Sequence, residues 1–238
     1  MSDPEHPSYC GLNATSGEVS ERKPTFAVLP VGAHEQHGGH LPLATDSIVA
    51  AYAGEQVARR LGGLLLPAIP YGTSFTHRTL RGTITLDWAT LAAIVNDVLV
   101  ACYAQELRIA FVLSGHGGNF ILNPCIRAFN ARHPEGQAVL LPENVVFGDA
   151  MSADDFHAGR WETSLMLALQ EPSVRMERAM DYAPEGVSRA ELTNRPISDF
   201  TPSGVWGFPT RATKEEGIRM LAEMNDRVCA YVEGWLKR

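Results

Sequence analysis

The chain reads as an α/β protein, a three-layer α/β/α sandwich with a mainly parallel central sheet in a single domain. Three observations predict this. Short apolar runs of strand length alternate with amphipathic stretches of helix length, the pattern of βα units. The runs are continuously apolar instead of alternating, as strands covered on both faces are. The 238 residues contain no internal repeat and no low-complexity tract, so one core suffices.

Residues 1–24 are polar, carry three prolines and show no periodicity, and are expected to form a mobile or loosely docked lead-in to a domain spanning 25–238. Phe26 to Val31 (FAVLPV) is the first buried strand. Thr45 or Asp46 is placed to cap a helix through SIVAAYAGEQVARRL, which Gly62-Gly63 stops. GLLLPAIP (63–70) is a second strand candidate, LDWATLAAIVNDVLVACYAQEL a long amphipathic helix, and RIAFVLSG the next strand. A helix through FILNPCIRAFNARH and a strand AVLLPEN follow, then a helix AGRWETSLMLALQ that ends before Pro172. Thr213 and Glu216 predict a capping box on a last helix that reaches Leu236. The span 173–212 has no period, and an irregular segment of that length usually covers a site.

Composition narrows the function classes. A formal net charge of −7 argues against nucleic-acid and anionic-membrane partners. No apolar run of 18 residues exists to span a bilayer, and the first ten residues, MSDPEHPSYC, lack the basic and apolar regions of a signal peptide. Cys10, Cys102, Cys125 and Cys229 are scattered with no CxxC pair, which fits reduced thiols and a cytoplasmic protein.

The chemistry concentrates in PVGAHEQHGGHLPLATD (30–46). Glu, His and Asp are ligands of borderline divalent metals, and neither solvated surface nor apolar core explains so many together. In open α/β sheets functional groups collect past the carboxyl ends of the strands. Glu35, His37 and Asp46 follow the first strand, His116 follows RIAFVLSG inside GHGGN, and His157 and Glu162 follow the fourth strand inside DFHAGRWETS. Glu35 and His37, two apart in an extended segment, point to the same side about 6.5–7 Å apart, so each can serve a different ion of a pair about 3.5–4 Å apart. Asp46 has two oxygens with which to bridge them, the glycines around His116 let its ring approach, and Glu162 can complete the ligand set of the second ion. The expectation is two divalent ions per chain, Zn, Mn or Fe, with no thiolate. His34 points the other way in a strand and is assigned a supporting role. His40 is divided between support and a turn. His133 receives no role. Glu162 alone would pass as a first-turn carboxylate that complements the helix dipole.

The same residues carry a resemblance. LPVGAHEQHGGHLPLATD resembles the first motif of the creatininase (creatinine amidohydrolase) family, PYGTSFTHRTLRGTITL its second, SGHGGN and HAGRWETS its third and fourth, and GVWGFPTRATKEEG its last. The resemblance implies a three-layer α/β/α sandwich, hydrolysis of non-peptide C–N bonds in linear or cyclic amides, and a homo-oligomer, commonly a hexamer. It implies Glu35, His37, Asp46 and His116 as metal ligands. A creatininase proper carries Tyr and Glu where this chain has Gly117 and Gly118, so creatinine is not the expected substrate. Members with HGGN fit better; in them the Glu matching Glu162 takes the ligand place. They include a formamide hydrolase of archaeal flavin biosynthesis and a peptidase that trims a redox-cofactor precursor. Ser114, Gly39, Arg81 and Phe208 also depart from the usual residues, the last two at positions expected to shape the substrate pocket.

The function expected is metal-dependent hydrolysis of a small-molecule amide by a metal-bridging hydroxide. His157 is the expected general acid toward the leaving nitrogen, and His77 a weaker candidate for gripping the substrate. The alternatives are peptidase-type processing of a small precursor peptide and a non-catalytic metal-binding scaffold. Phosphoester hydrolysis is disfavoured, because the first four motifs contribute only Arg78, Arg81 and Arg160.

Overall fold

The computed structural model describes residues 5–148, 152 and 154–238. Four parallel strands form the central sheet: β1 (Phe26–Val31), β2 (Leu64–Leu65), β3 (Ile109–Ser114) and β4 (Gln137–Leu140), in the order β2-β1-β3-β4. β1 and β3 run in register from Phe26 opposite Ile109 to Val31 opposite Ser114, so their carboxyl ends, and whatever follows them, lie side by side. That register is what brings the loop after β1 to the turn after β3.

Alternate residues of β1 face opposite layers, as the strand period requires. Phe26 and Val28, with Phe111 and Leu113 of β3, pack on α2 (Thr45–Leu61), α5 (Glu143–Phe147), α6 (Arg160–Gln170) and α7 (Lys214–Leu236). Ala27, Leu29 and Val31 pack on α3 (Trp88–Ala104) and α4 (Leu122–Arg132). The sandwich is the one expected, with two apolar cores separated by the sheet.

Both sheet edges are covered by polar devices. Beside β2, the Leu65 N–H donates to the Cys10 carbonyl (2.8 Å) and the Cys10 N–H to that of Gly63 (3.1 Å). Beside β4, the Asn130 side-chain amide takes both the N–H (2.8 Å) and the C=O (2.9 Å) of Ala138. An edge so occupied is not free to recruit another strand.

Several elements differ from expectation for local reasons. The lead-in contains α1 (Ser16–Arg22), closed by a reciprocal capping box between Thr15 and Glu18, and buries Tyr9 and Cys10 on the domain. GLLLPAIP yields only two residues of continuous ladder, because Pro67 interrupts it before Ile69 pairs again with Val31. Neither Thr45 nor Asp46 caps α2: Ala44 holds the cap position, and the Thr45 hydroxyl donates to the Pro42 carbonyl (2.7 Å). The Asp46 carboxylate is thereby free to turn toward the sheet. Gly62 stops α2 in the left-handed region (φ 83°), as read from the sequence. Of the predicted box on α7 only one half forms. The Thr213 hydroxyl accepts from the Glu216 N–H (3.2 Å), while the Glu216 carboxylate is held by Arg160.

The segment 173–212 is a chain of short 3₁₀ turns, anchored by buried Ile197, Val205 and Trp206. The four cysteines are free and buried. Among the described residues no helix is long and apolar enough to cross a membrane.

Candidate metal centre

Past the carboxyl ends of β1 and β3, six chain segments deliver polar side chains to one buried place. The loop after β1 brings Glu35 and His37, and the first turn of α2 brings Asp46. The turn after β3 brings His116, a 3₁₀ turn (Phe75–His77) brings His77, and the loop before α6 brings His157. The first turn of α6 adds Glu162. Gly115 makes the approach possible, since a Cβ there would collide with the Asp46 carbonyl and sit 3.0 Å from the Ala50 Cβ. β3 therefore ends directly against the first turn of α2.

Among the described residues three sets of candidate ligand atoms form, each within 4.8 Å: Glu35, Asp46 and His116; His37, Asp46 and Glu162; and Glu35, His37 and His157. Asp46 belongs to the first two. Its Oδ1 lies 3.1 Å from His37 Nε2 and its Oδ2 3.1 Å from His116 Nδ1. Glu162 Oε1 is 3.7 Å from His37 Nε2. Its other oxygen accepts the Ala158 N–H (2.5 Å), so the helix-start role and the place in the cluster belong to the same side chain.

The outer nitrogens are anchored in a way that suits ligands. The His37 Nδ1–H donates to the Glu35 carbonyl (3.0 Å), which turns the Nε2 lone pair into the cluster. His116 Nε2 lies 3.3 Å from the Thr73 carbonyl, which leaves Nδ1 facing Asp46. Glu35 is the clearest test of whether a cation fits. It is fully buried, and no donor closes on either carboxylate oxygen with hydrogen-bond geometry; Asp46 Oδ2 is left in the same condition. Buried carboxylate oxygens without donors are costly unless a cation takes them.

Charge bookkeeping agrees. Burial pushes the Glu35 carboxyl up to about 7, against the pull of His116. Burial also opposes charge on His116, but Glu35 and Asp46 outweigh it and hold the imidazole at about 9. Burial penalises Asp46 too, yet His37 and His116 keep it well below the usual carboxylate range. His37 overcomes its own burial through Asp46 and Glu162 and stays well above its ordinary value. Protons on Glu35 and the two imidazoles stand where divalent ions would displace them.

His77 and His157 are different. Burial, reinforced by neighbouring imidazoles, holds both well below the usual histidine range. Between them lies Gln36, a residue the sequence reading passes over. Its Oε1 accepts the Gly38 N–H (3.0 Å), so its Nε2 donates, and His77 Nδ1 accepts at 2.8 Å. The His77 proton is therefore on Nε2, 3.4 Å from Glu35 Oε1. The His157 Nε2–H donates to the Gln36 carbonyl (2.9 Å), which leaves Nδ1 3.6 Å from Glu35 Oε1. Only the fixed side chain of Gln36 shows this; an x between Glu and His carries no such signal.

His34 lies outside the cluster, its ring 6.0 Å from that of Tyr71. His40 is buried behind it with Nε2 3.0 Å from the Thr163 hydroxyl, next to Glu162. Gly118 has no room for a side chain: a Cβ there would lie 2.5 Å from the Thr73 carbonyl and would strike His116. A cavity of about 540 Å³ opens over the cluster, walled by Phe75, Phe120, Phe147, Phe156 and Leu192. Arg81 and Phe208 do not line it, contrary to expectation; Arg189 and Thr193 of the aperiodic segment do.

A family model described as creatininase, creatinine amidohydrolase, matches residues 13–232. The chain belongs to the creatininase family. A mycofactocin precursor peptide peptidase of Mycobacterium tuberculosis is 35% identical over 239 residues, which cover 94% of this chain and 90% of that protein. The creatinine amidohydrolase of Pseudomonas putida is 29% identical over 184 residues, 66% of this chain and 69% of that protein. Among solved structures, a creatininase with Mn superposes with a TM-score of 0.83 at 23% identity, covering 95% of this chain and 98% of that one. The creatininase fold and the amidohydrolase family are thus established for this chain.

Proposed function

We propose that the protein hydrolyses an amide C–N bond with two divalent ions, held by Glu35, Asp46 and His116 on one side and by His37, Asp46 and Glu162 on the other. The observation that carries this is Asp46, which turns one oxygen to each set. When bound, such a pair lowers the pKa of water between the ions and polarises the amide carbonyl.

The protein's own groups do the rest. His157 rests neutral with its Nδ1 lone pair toward the cluster, because its proton is committed to the Gln36 carbonyl. It can therefore take a proton at Nδ1 as the nucleophile attacks and hand it to the leaving nitrogen, acting as base and then acid. His77 presents an N–H that is suited to donate to the oxygen on which charge develops. The phenylalanine wall supplies apolar surface on the opposite side.

Two observations favour a linear amide within a peptide over a cyclic amide such as creatinine. The peptidase relative matches more of the chain at higher identity than the creatinine amidohydrolase does. In addition, Gly117 and Gly118 leave out the aromatic and acidic side chains expected of a creatininase proper. Metal-loaded protein assayed on short peptides, N-formyl amides and creatinine is expected to cleave a linear amide and to lose the activity on chelation. Full activity after complete metal removal would refute the metal reading. Creatinine as the best substrate would refute the substrate reading.

A further inference from the structure

We propose that Arg189 is a specificity-determining residue of this site, and that the substrate is an amide carrying a carboxylate next to an aromatic or bulky apolar group. This inference rests on the amide-hydrolase reading and names the class of substrate within it.

Among the described residues Arg189 is the one arginine or lysine that lines the cavity over the cluster. Its guanidinium carbon lies 5.2 Å from the centre of the Phe156 ring, which sets the cation against the apolar wall. Among the described residues no carboxylate lies within salt-bridge distance of it, whereas Arg160, Arg195 and Arg59 each have one. The seat of the guanidinium is made by a missing side chain: a Cβ on Gly117 would lie 2.7 Å from Arg189 Nη2. Gly117 adjoins His116, and the guanidinium and His116 line the same cavity.

A planar fork of N–H donors with no carboxylate partner among the described residues matches a carboxylate in two-point contact. The rest of the wall, Phe75, Phe120, Phe147 and Leu192, supplies apolar surface and no second cation. One guanidinium among phenylalanines selects a single anionic group on an apolar body. It does not select a polyanion.

The test is calorimetric titration of 3-phenylpropanoate and of its neutral counterpart, 3-phenylpropanamide, into the metal-loaded protein and into Arg189→Met. The native protein is expected to bind the acid roughly 10–100-fold more tightly than the amide, and the variant to lose that preference with the same metal content. Arg189→Lys, which keeps charge without the fork, should recover only part of it. Arg189 is exposed on a short turn, so the variants should fold as the parent does. Retention of the preference in Arg189→Met would place the carboxylate on the ions and overturn the proposal. So would failure of the native protein to discriminate. Neither readout requires turnover, so a failed amide-hydrolase reading and a failed Arg189 assignment give different results.

Discussion

Glu35 and Glu216 are both buried carboxylates, one in the loop after β1 and one in the first turn of α7. Glu216 is saturated. Arg160 grips it through Nε (2.8 Å) and Nη2, and the Ser164 hydroxyl lies 3.4 Å from Oε2. Burial opposes its charge, but the Arg160 hydrogen bond outweighs that and holds Glu216 below the ordinary carboxylate value. Glu35, more deeply buried, has histidine nitrogens nearby but no hydrogen bond closed on either oxygen, and a pKa driven up by burial to about 7. A fold that satisfies one carboxylate and leaves the other open has built a joint in the first place and a socket in the second. The joint fastens α6 to α7; the socket is suited to a cation.

The sharpest way to break that comparison is at Asp46, the residue shared by two ligand sets. Asp46→Ala should abolish tight binding of both ions and with it the hydrolytic activity, while the protein stays folded. Elemental analysis after exhaustive dialysis reads this directly. Two ions retained would end the bridging assignment, and one retained would make Asp46 a terminal ligand.

His157→Ala should act on rate alone. Loss of a general acid–base typically costs about 10²–10⁴-fold in kcat, and the loss should shrink on activated amides whose leaving amine needs no proton. Metal content is the control, because Glu35, His37 and His157 also present atoms within 4.8 Å of one another. Loss of an ion in this variant would move His157 into the ligand sets and leave the proton to His77.

The sequence made the site legible to an uneven degree. Glu35, His37, Asp46, His116 and Glu162 stand in motifs at the ends of βα units, and the parallel register of β1 and β3 brings them together as the alternation implies. The layered fold was legible for the same reason, since continuous apolar runs leave few ways to cover both faces. Less could be read where partners are distant in sequence. Glu216 looks like the far half of a capping box until Arg160, 56 residues earlier, claims its carboxylate. Gln36 looks like a spacer until His77 and His157 arrive on either side of it. Arg189 lies in a segment without period, where no pattern says which side chain turns inward.

The comparison sharpens when both carboxylates are neutralised in metal-free protein. Glu35→Gln should stabilise it at pH 8 by about 2–3 kcal/mol, since the carboxylate there is charged at a cost set by its raised pKa. Glu216→Gln should destabilise it by about 1–3 kcal/mol through the lost charged hydrogen bonds. Denaturant midpoints that move the same way in both variants would show that the two sites are built alike. On metal loading the Glu35→Gln advantage should reverse, because the variant can no longer hold its ion.

The smallest expected effect is the pH dependence of the metal-free protein, and its sign follows from the imidazoles. His116 is held at about 9 by Glu35 and Asp46 once burial is overcome. Its stabilising contribution is complete below the unfolded histidine value, about 6.5, and is lost as pH rises through about 9. His37, also raised, acts in the same direction. His40, lowered by burial to about 4, and His77 and His157, lowered well below the ordinary value, pull the opposite way, but only below about 6.5. Glu35 contributes a cost that is nearly complete above about 7. Metal-free protein should therefore lose a few degrees of Tm between pH 7 and 9, at about 2–4 °C per kcal/mol for a chain of this size. The buried cysteines, raised by burial, add a loss near pH 9, but they do so with or without ions. The difference between the two forms isolates the centre: with ions bound, the loss should vanish or reverse, because deprotonation strengthens the ligands. Parallel Tm curves for loaded and metal-free protein across that window would mean that the histidines are not where the ions bind.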